Sequence, residues 1–143
     1  MGRLREKWTV PTGVKVNGAS IPKVLWTPFG SPFVGDYRRA SVIHDHFCRT
    51  KEEPSQSVHR MFYNAVRADG ISSFTARWMY TVVRALGPRW TSIKGFDGKS
   101  RFVELPPSVS EGKLQQILEW VDSENPTLDE IDARIEEYEL RNR

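Results

Sequence analysis

The sequence predicts an α+β fold, mainly helical, with a three-helix core, short flanking β-hairpins and a C-terminal acidic helical hairpin. Three observations predict it. Five segments place apolar residues at steps of three and four, the spacing of one helix face. Two short stretches instead alternate apolar and polar residues around turn dipeptides. The charge also changes sign near residue 106: residues 1–105 carry 17 Lys/Arg against 8 Asp/Glu, and residues 106–143 carry 4 against 10. The expected organisation is one globular domain over 1–105 and an acidic helical hairpin appended over 106–143.

The first β element is expected where Lys7, Trp8, Thr9 and Val10, then Val14, Lys15 and Val16, flank Pro11-Thr12-Gly13. From Thr27 to Gly35 two prolines and two glycines impose an irregular loop, which Phe29 and Phe33 should pack down. Asp36 is a suitable N-cap. Tyr37, Ala40, Ile43, His44, Phe47 and Cys48 then trace one face of a first helix over about 37–50. Pro54 and Ser55 can start a second helix striped by Val58, Met61, Phe62, Ala65 and Val66, which Gly70 ends with a left-handed cap. Ser72 or Ser73 caps a third. Phe74, Trp78, Val82 and Ala85 form its stripe, widened by Met79, Val83 and Leu86, so this helix should sit at the centre of the core.

After Gly87-Pro88, Ile93 to Phe96 and Arg101 to Leu105 flank Asp97-Gly98 as a second hairpin. Leu114, Ile117, Leu118 and Val121 mark a fourth helix. Thr127 and Glu130 make a capping box for a fifth, with Leu128, Ile131, Ile135 and Tyr138 on its inner face. Two short helices with single stripes must bury them, on the body or on a partner.

Composition narrows the classes of function. No apolar run approaches the roughly 20 residues that span a bilayer, and the first residues have no apolar core of a secretion signal. A single cysteine, Cys48, makes no internal disulfide, so synthesis in a reducing cytoplasm is expected. The basic residues are scattered and fit no nucleic-acid-binding motif, so nucleic acid is not the expected partner. A basic body with an acidic segment suits docking of that segment on itself or on a neighbour.

Chemistry, if present, is expected in Ser41 to Cys48. Two imidazoles, a carboxylate and the only thiol lie within five consecutive residues there. His44 points into the packing face, with Asp45 turned about 100° from it. If the first two helices run antiparallel, counting from their midpoint brings His44, Asp45 and His59 to similar heights. Three readings fit: a buried His44 held by hydrogen bonds with His59 exposed, a His–Asp general base, or a metal site in which Asp45 joins His44 or His59. Cys48 reads as a small buried hydrophobe, and His46 falls on the outer side with no role.

Gly18-Ala19-Ser20-Ile21-Pro22, Trp26, Tyr37-Arg38-Arg39-Ala40, His44-Asp45, Arg60-Met61-Phe62-Tyr63 and Gly70 resemble, in order, an uncharacterised phage and prophage family. The resemblance spans about residues 8–88. It implies a virion accessory protein at the tail or connector, made in the host cytoplasm, whose partners are other phage structural proteins or itself. More distantly, His44-Asp45 is similar to the helix of phospholipase A2. That likeness implies His44 as base, Asp45 as ligand of a metal (calcium, or zinc), and carbonyls of the Gly30–Gly35 loop as further ligands, in a small hydrolase of lipids or cell-envelope esters or amides. The sequence departs from both patterns. Asn17 and His59 stand where the phage family has Asp, so His59 offers His44 no carboxylate. The resemblance therefore implies a degenerate hydrolase-like site, with His44, Asp45 and His59 as its candidates.

Overall fold

The computed structural model describes residues 8–13, 21–22 and 37–141. Over these, five helices and one antiparallel hairpin follow in order: α1 (Arg38–Thr50), α2 (Ser55–Ala68), α3 (Ser73–Leu86), β1 (Arg89–Lys94), β2 (Ser100–Leu105), α4 (Glu111–Glu124) and α5 (Leu128–Arg141). The fold is α+β and mainly helical, as the sequence predicts. Residues 8–13 hold a turn at Thr12-Gly13 and no strand. The other arm of the expected N-terminal hairpin, Val14 to Val16, lies outside the described residues, as do Asn17, Asp36 and the loop bearing Gly30 and Gly35.

Local chemistry sets the helix ends. Tyr37 occupies the N-cap of α1 without a side-chain bond, and Lys51 closes that helix in the left-handed region, its N–H on the Phe47 carbonyl. α2 starts after Pro54. It ends as the glycine predicts: Gly70 takes a φ of +93° while its N–H reaches Arg67 O and that of Ile71 reaches Val66 O, the paired bonds of a Schellman motif. Ser72 and Ser110 cap α3 and α4 by accepting from Thr75 N and Lys113 N. The capping box of α5 is reciprocal: Thr127 N–H donates to Glu130 Oε1 at 3.0 Å and Glu130 N–H to Thr127 Oγ1 at 3.1 Å.

α3 is the central element. Met79 through Ala85 are all buried, including Thr81 and Arg84, so the helix is enclosed around its whole circumference along its second half. Phe74 is the exception to its expected stripe. It is 48% exposed, although Ala76 in the same turn is fully buried. On one side α3 packs on α2, and α2 on α1; on the other it packs on α4 and α5. Leu114, Ile117, Leu118 and Val121 of α4 and Ile131 and Ile135 of α5 share one apolar core with Phe62, Val66 and Met79. The acidic helices thus bury their stripes on this chain's own body. A second, smaller core gathers Phe47, Cys48, Val58, Met61 and Trp90, with Trp8 edge-on to Phe47.

The charge asymmetry has a local cause. Asp132 and Glu139 of α5 turn inward onto Arg60 of α2, Arg84 of α3 and Arg89 of β1. Arg84 is only 3% exposed, and it lies 3.3 Å from Asp132 and 3.1 Å from Glu139. The hydroxyl of Ser108 bonds the same Glu139. Tyr80 donates to Asp132 at 2.5 Å, and burial together with that carboxylate pushes its phenol up.

Candidate functional site

α1 and α2 meet across the turn at residues 51–54, and the contact brings together the two histidines that counting had placed at one height. His44 Nε2 lies 2.9 Å from His59 Nδ1, and His59 Nε2 lies 2.9 Å from the carbonyl of Pro88. Both side chains are sealed, at 0% and 1% exposure. His59 is therefore buried, against the reading that left it exposed. The Gly87-Pro88 corner that ends α3 delivers the carbonyl. A Cβ on Gly87 would meet the Val83 carbonyl at 2.3 Å, so only glycine lets the chain turn this tightly off the end of α3.

The hydrogen bonds fix the tautomers. A carbonyl only accepts, so His59 Nε2 carries its proton and Nδ1 is left to accept. His44 Nε2 must then be the donor, which makes Nδ1 the unprotonated nitrogen of that ring. The Sγ of Cys48 lies 3.7 Å from that Nδ1 and 3.6 Å from Nε2, packed beside the ring and buried. A further proton on His59 Nδ1 would set two N–H groups against each other. Burial, and next the charge of His59, hold His44 well below its ordinary 6.5. Burial brings His59 down to about 3; the Pro88 carbonyl opposes this and the charge of Arg84 adds to it. The pair is neutral at physiological pH.

Asp45 is buried and pairs with Arg49, one turn on, at 3.6 Å. His46, expected on the outer side, is also buried, against Phe47, and its Nδ1 has no hydrogen-bond partner among the described residues. Sequence reasoning placed it outside because α1 is covered on more of its circumference than its apolar residues alone indicate. It missed Pro88 and Arg84 as neighbours of the pair altogether. No spacing rule connects a backbone carbonyl on the far side of α3 to a side chain on α2.

Among the described residues this geometry does not offer a metal a ligand set. The two imidazole nitrogens face one another across a shared proton, and among the described residues no three His, Cys, Asp or Glu side chains gather. The carbonyls assigned to calcium by the phospholipase likeness lie outside the described residues. Two surface clefts among the described residues lie away from the pair. One, between α2 and α5, is lined by Gln56, Arg60, Asp129, Asp132 and Glu136; another, at the foot of the hairpin, by Arg89, Leu105, Pro107 and Glu139. Neither is lined by His44 or His59. No helix of the described residues is long and apolar enough to cross a membrane.

A mainly helical α+β body organised on a buried His–His contact defines the class, and comparison with known proteins gives the family. Residues 2–83 match the family described as protein of unknown function DUF1353, and the chain belongs to it. The match ends inside α3, short of the hairpin and the acidic helices. The chain is 51% identical over 85 residues to the uncharacterized protein y4jT of Sinorhizobium fredii (strain NBRC 101917 / NGR234), covering 59% of this chain and 25% of that protein. It is 32% identical over 152 residues to the uncharacterized protein y4iH of the same strain, covering 91% of this chain and 64% of that protein. The chain thus spans about a quarter and somewhat under two thirds of the lengths of these curated relatives. No solved structure matches.

Proposed function

We propose that this chain is a phage- or prophage-encoded virion accessory protein, at the tail or connector, that works by contact with neighbouring subunits rather than by catalysis. One observation carries the non-catalytic part: both imidazoles lie in a sealed interior, at 0% and 1% exposure, held on each other and on the Pro88 carbonyl. A general base needs a free lone pair within reach of the proton it takes. On His44 the unprotonated nitrogen is Nδ1, and the ring is 0% exposed, so a substrate in solvent does not come within its reach. The hydrolase-like motif is then retained as a packing device that ties α1, α2 and the end of α3 together. The placement in a virion rests on the resemblance of the ordered motifs to a phage and prophage family. Particles purified after induction of a host carrying the gene should contain the protein at fixed stoichiometry by mass spectrometry. Its consistent absence from them would reject the virion placement.

A second reading, a small metal-assisted hydrolase with His44 as base and Asp45 as ligand, is favoured by one feature: a buried carboxylate immediately follows a buried imidazole. It predicts calcium or zinc binding lost in Asp45→Ala and hydrolysis of lipid or peptidoglycan substrates lost in His44→Ala. Silence in both calorimetry and the substrate panel rejects it.

A further inference from the structure

The hairpin is tethered at one end only. Trp90 is buried at its base, with the indole N–H on the Glu53 carbonyl at 3.1 Å. β1 lies against α2, whereas β2 faces outward and is exposed from Ser100 to Glu104. Among the described residues nothing pairs with its outer edge. Protein sheets blunt such edges with lysine, proline, a bulge or a cover, because unpaired N–H and C=O groups invite another strand. β2 has no lysine or proline among its six residues; its charges, Arg101 and Glu104, flank Phe102 and Val103, which are 52% and 38% exposed. A two-stranded hairpin is marginal by itself, and further strands stabilise it.

We propose that β2 pairs antiparallel with β2 of a second copy of this chain, about a two-fold axis at Phe102, to form a four-stranded sheet. The register follows from the hydrogen bonds. Gly95 N–H donates to Lys99 O at 2.9 Å and closes the hairpin. Along the observed register the bonded pairs then alternate, Ile93 with Arg101 and Thr91 with Val103. Ser100, Phe102 and Glu104 are left aiming their backbone groups outward. A two-fold axis normal to the sheet keeps each face on its own side, so facing residue numbers must have an even sum. Centring on Phe102 satisfies this and uses the free groups: Phe102 meets its counterpart, and Ser100 meets Glu104.

Charge argues for a second copy as occupant. Lys94 is cross-strand from Ser100, so it lies in one row with the second copy's Glu104, with only the small Ser100 between; Glu104, paired on one oxygen with Lys51 of its own chain at 3.1 Å, keeps its second oxygen for Lys94. Symmetry repeats this attraction, and no like charges are opposed. The facing phenyl rings are flanked in their own row by Ser92, also small. This names one neighbour for the assembly role and rests on that reading only for its use in the particle. Dimerisation is read in solution with the purified full chain, so either can fail alone.

In a bonded antiparallel pair the facing Cα atoms are about 5.5 Å apart, within disulfide range, whereas diagonal positions are about 7–8 Å apart. Under mild oxidation Phe102→Cys should give a covalent dimer, while Val103→Cys and the parent chain, whose Cys48 is buried, should not. Sedimentation from micromolar to millimolar concentration should show reversible dimers that Phe102→Lys converts to monomers, with an unfolding midpoint equal to the parent's at concentrations where the parent is monomeric. A parent chain monomeric throughout, or cross-linking at 103 in place of 102, overturns the proposal. So does a hairpin that leaves the chain monomeric yet binds anionic phospholipid vesicles through Lys94, Phe96 and Lys99.

Discussion

At the scale of single residues, the His44–His59 contact stores a dependence on pH whose sign is set by burial. In the unfolded chain both imidazoles take a proton near 6.5; in the fold His44 stays neutral well below that and His59 down to about 3. The unfolded state therefore binds more protons as pH falls, and stability is full above 6.5 and is lost on acidification toward the folded values. Unfolding free energy from urea titrations should fall between pH 6.5 and 4.5 by up to about 1.4 kcal/mol per pH unit for each histidine. His59→Leu removes one of the two titrating groups and should roughly halve that slope. It should also cost about 2–4 kcal/mol at pH 7, since His44 Nε2–H and the Pro88 carbonyl both lose their partner. A slope unchanged by the substitution would assign the pH dependence to other groups. The meeting of residues 44 and 59 was legible in the sequence, because helix period and a short turn fix heights along facing helices. Their tautomers were not, because they depend on a carbonyl delivered by α3, and neither was the burial of His46.

At the scale of elements, Trp90 decides whether the hairpin belongs to the body. Its ring fills the smaller core beside Phe47, Val58 and Met61, Lys51 Nζ stands 5.5 Å from its centre, and its N–H is bonded to Glu53 O. Trp90→Ala should cost about 3–5 kcal/mol, the range for deleting a large buried aromatic. Trp90→Phe keeps most of the packing and loses one hydrogen bond, about 1 kcal/mol. Hydrogen exchange should show the amides of β1 and β2 losing protection in the alanine variant and keeping it in the phenylalanine variant. Equal protection in both would mean that the hairpin holds without its anchor. The helices were readable almost residue by residue, since their punctuation (Pro54, Gly70, Ser72, Thr127 with Glu130) is chemically unambiguous. Phe74 was misplaced because the stripe shows which residues share a face and not which of them a neighbour covers: it is 48% exposed.

At the scale of the molecule, the acidic helices are held by apolar burial and by the charges turned inward with it, and the two contributions can be separated on one arginine. Arg60 Nη2 bonds Asp129 at 2.6 Å and Asp132 at 2.8 Å. Distance alone would rank Asp129 first. Solvent reverses the order: the Asp129 side chain is 90% exposed, so its pair is screened and should contribute at most about 1 kcal/mol. Asp132 is 13% exposed and also receives the Tyr80 hydroxyl and faces Arg84. Asp132→Ala leaves the buried Arg84 guanidinium short of a counter-charge and the Tyr80 hydroxyl without its acceptor, a loss of about 3–5 kcal/mol. Asp132→Asn keeps the shape and an acceptor oxygen, so it should fall between the two. Urea midpoints of Asp129→Ala, Asp132→Asn and Asp132→Ala should therefore descend in that order. Only the Asp129 effect should fade in high salt, because ions reach that pair and not the other. Equal costs for the two alanine variants would mean that the acidic helices are held by their apolar stripes alone, with the inward charges neutral in effect.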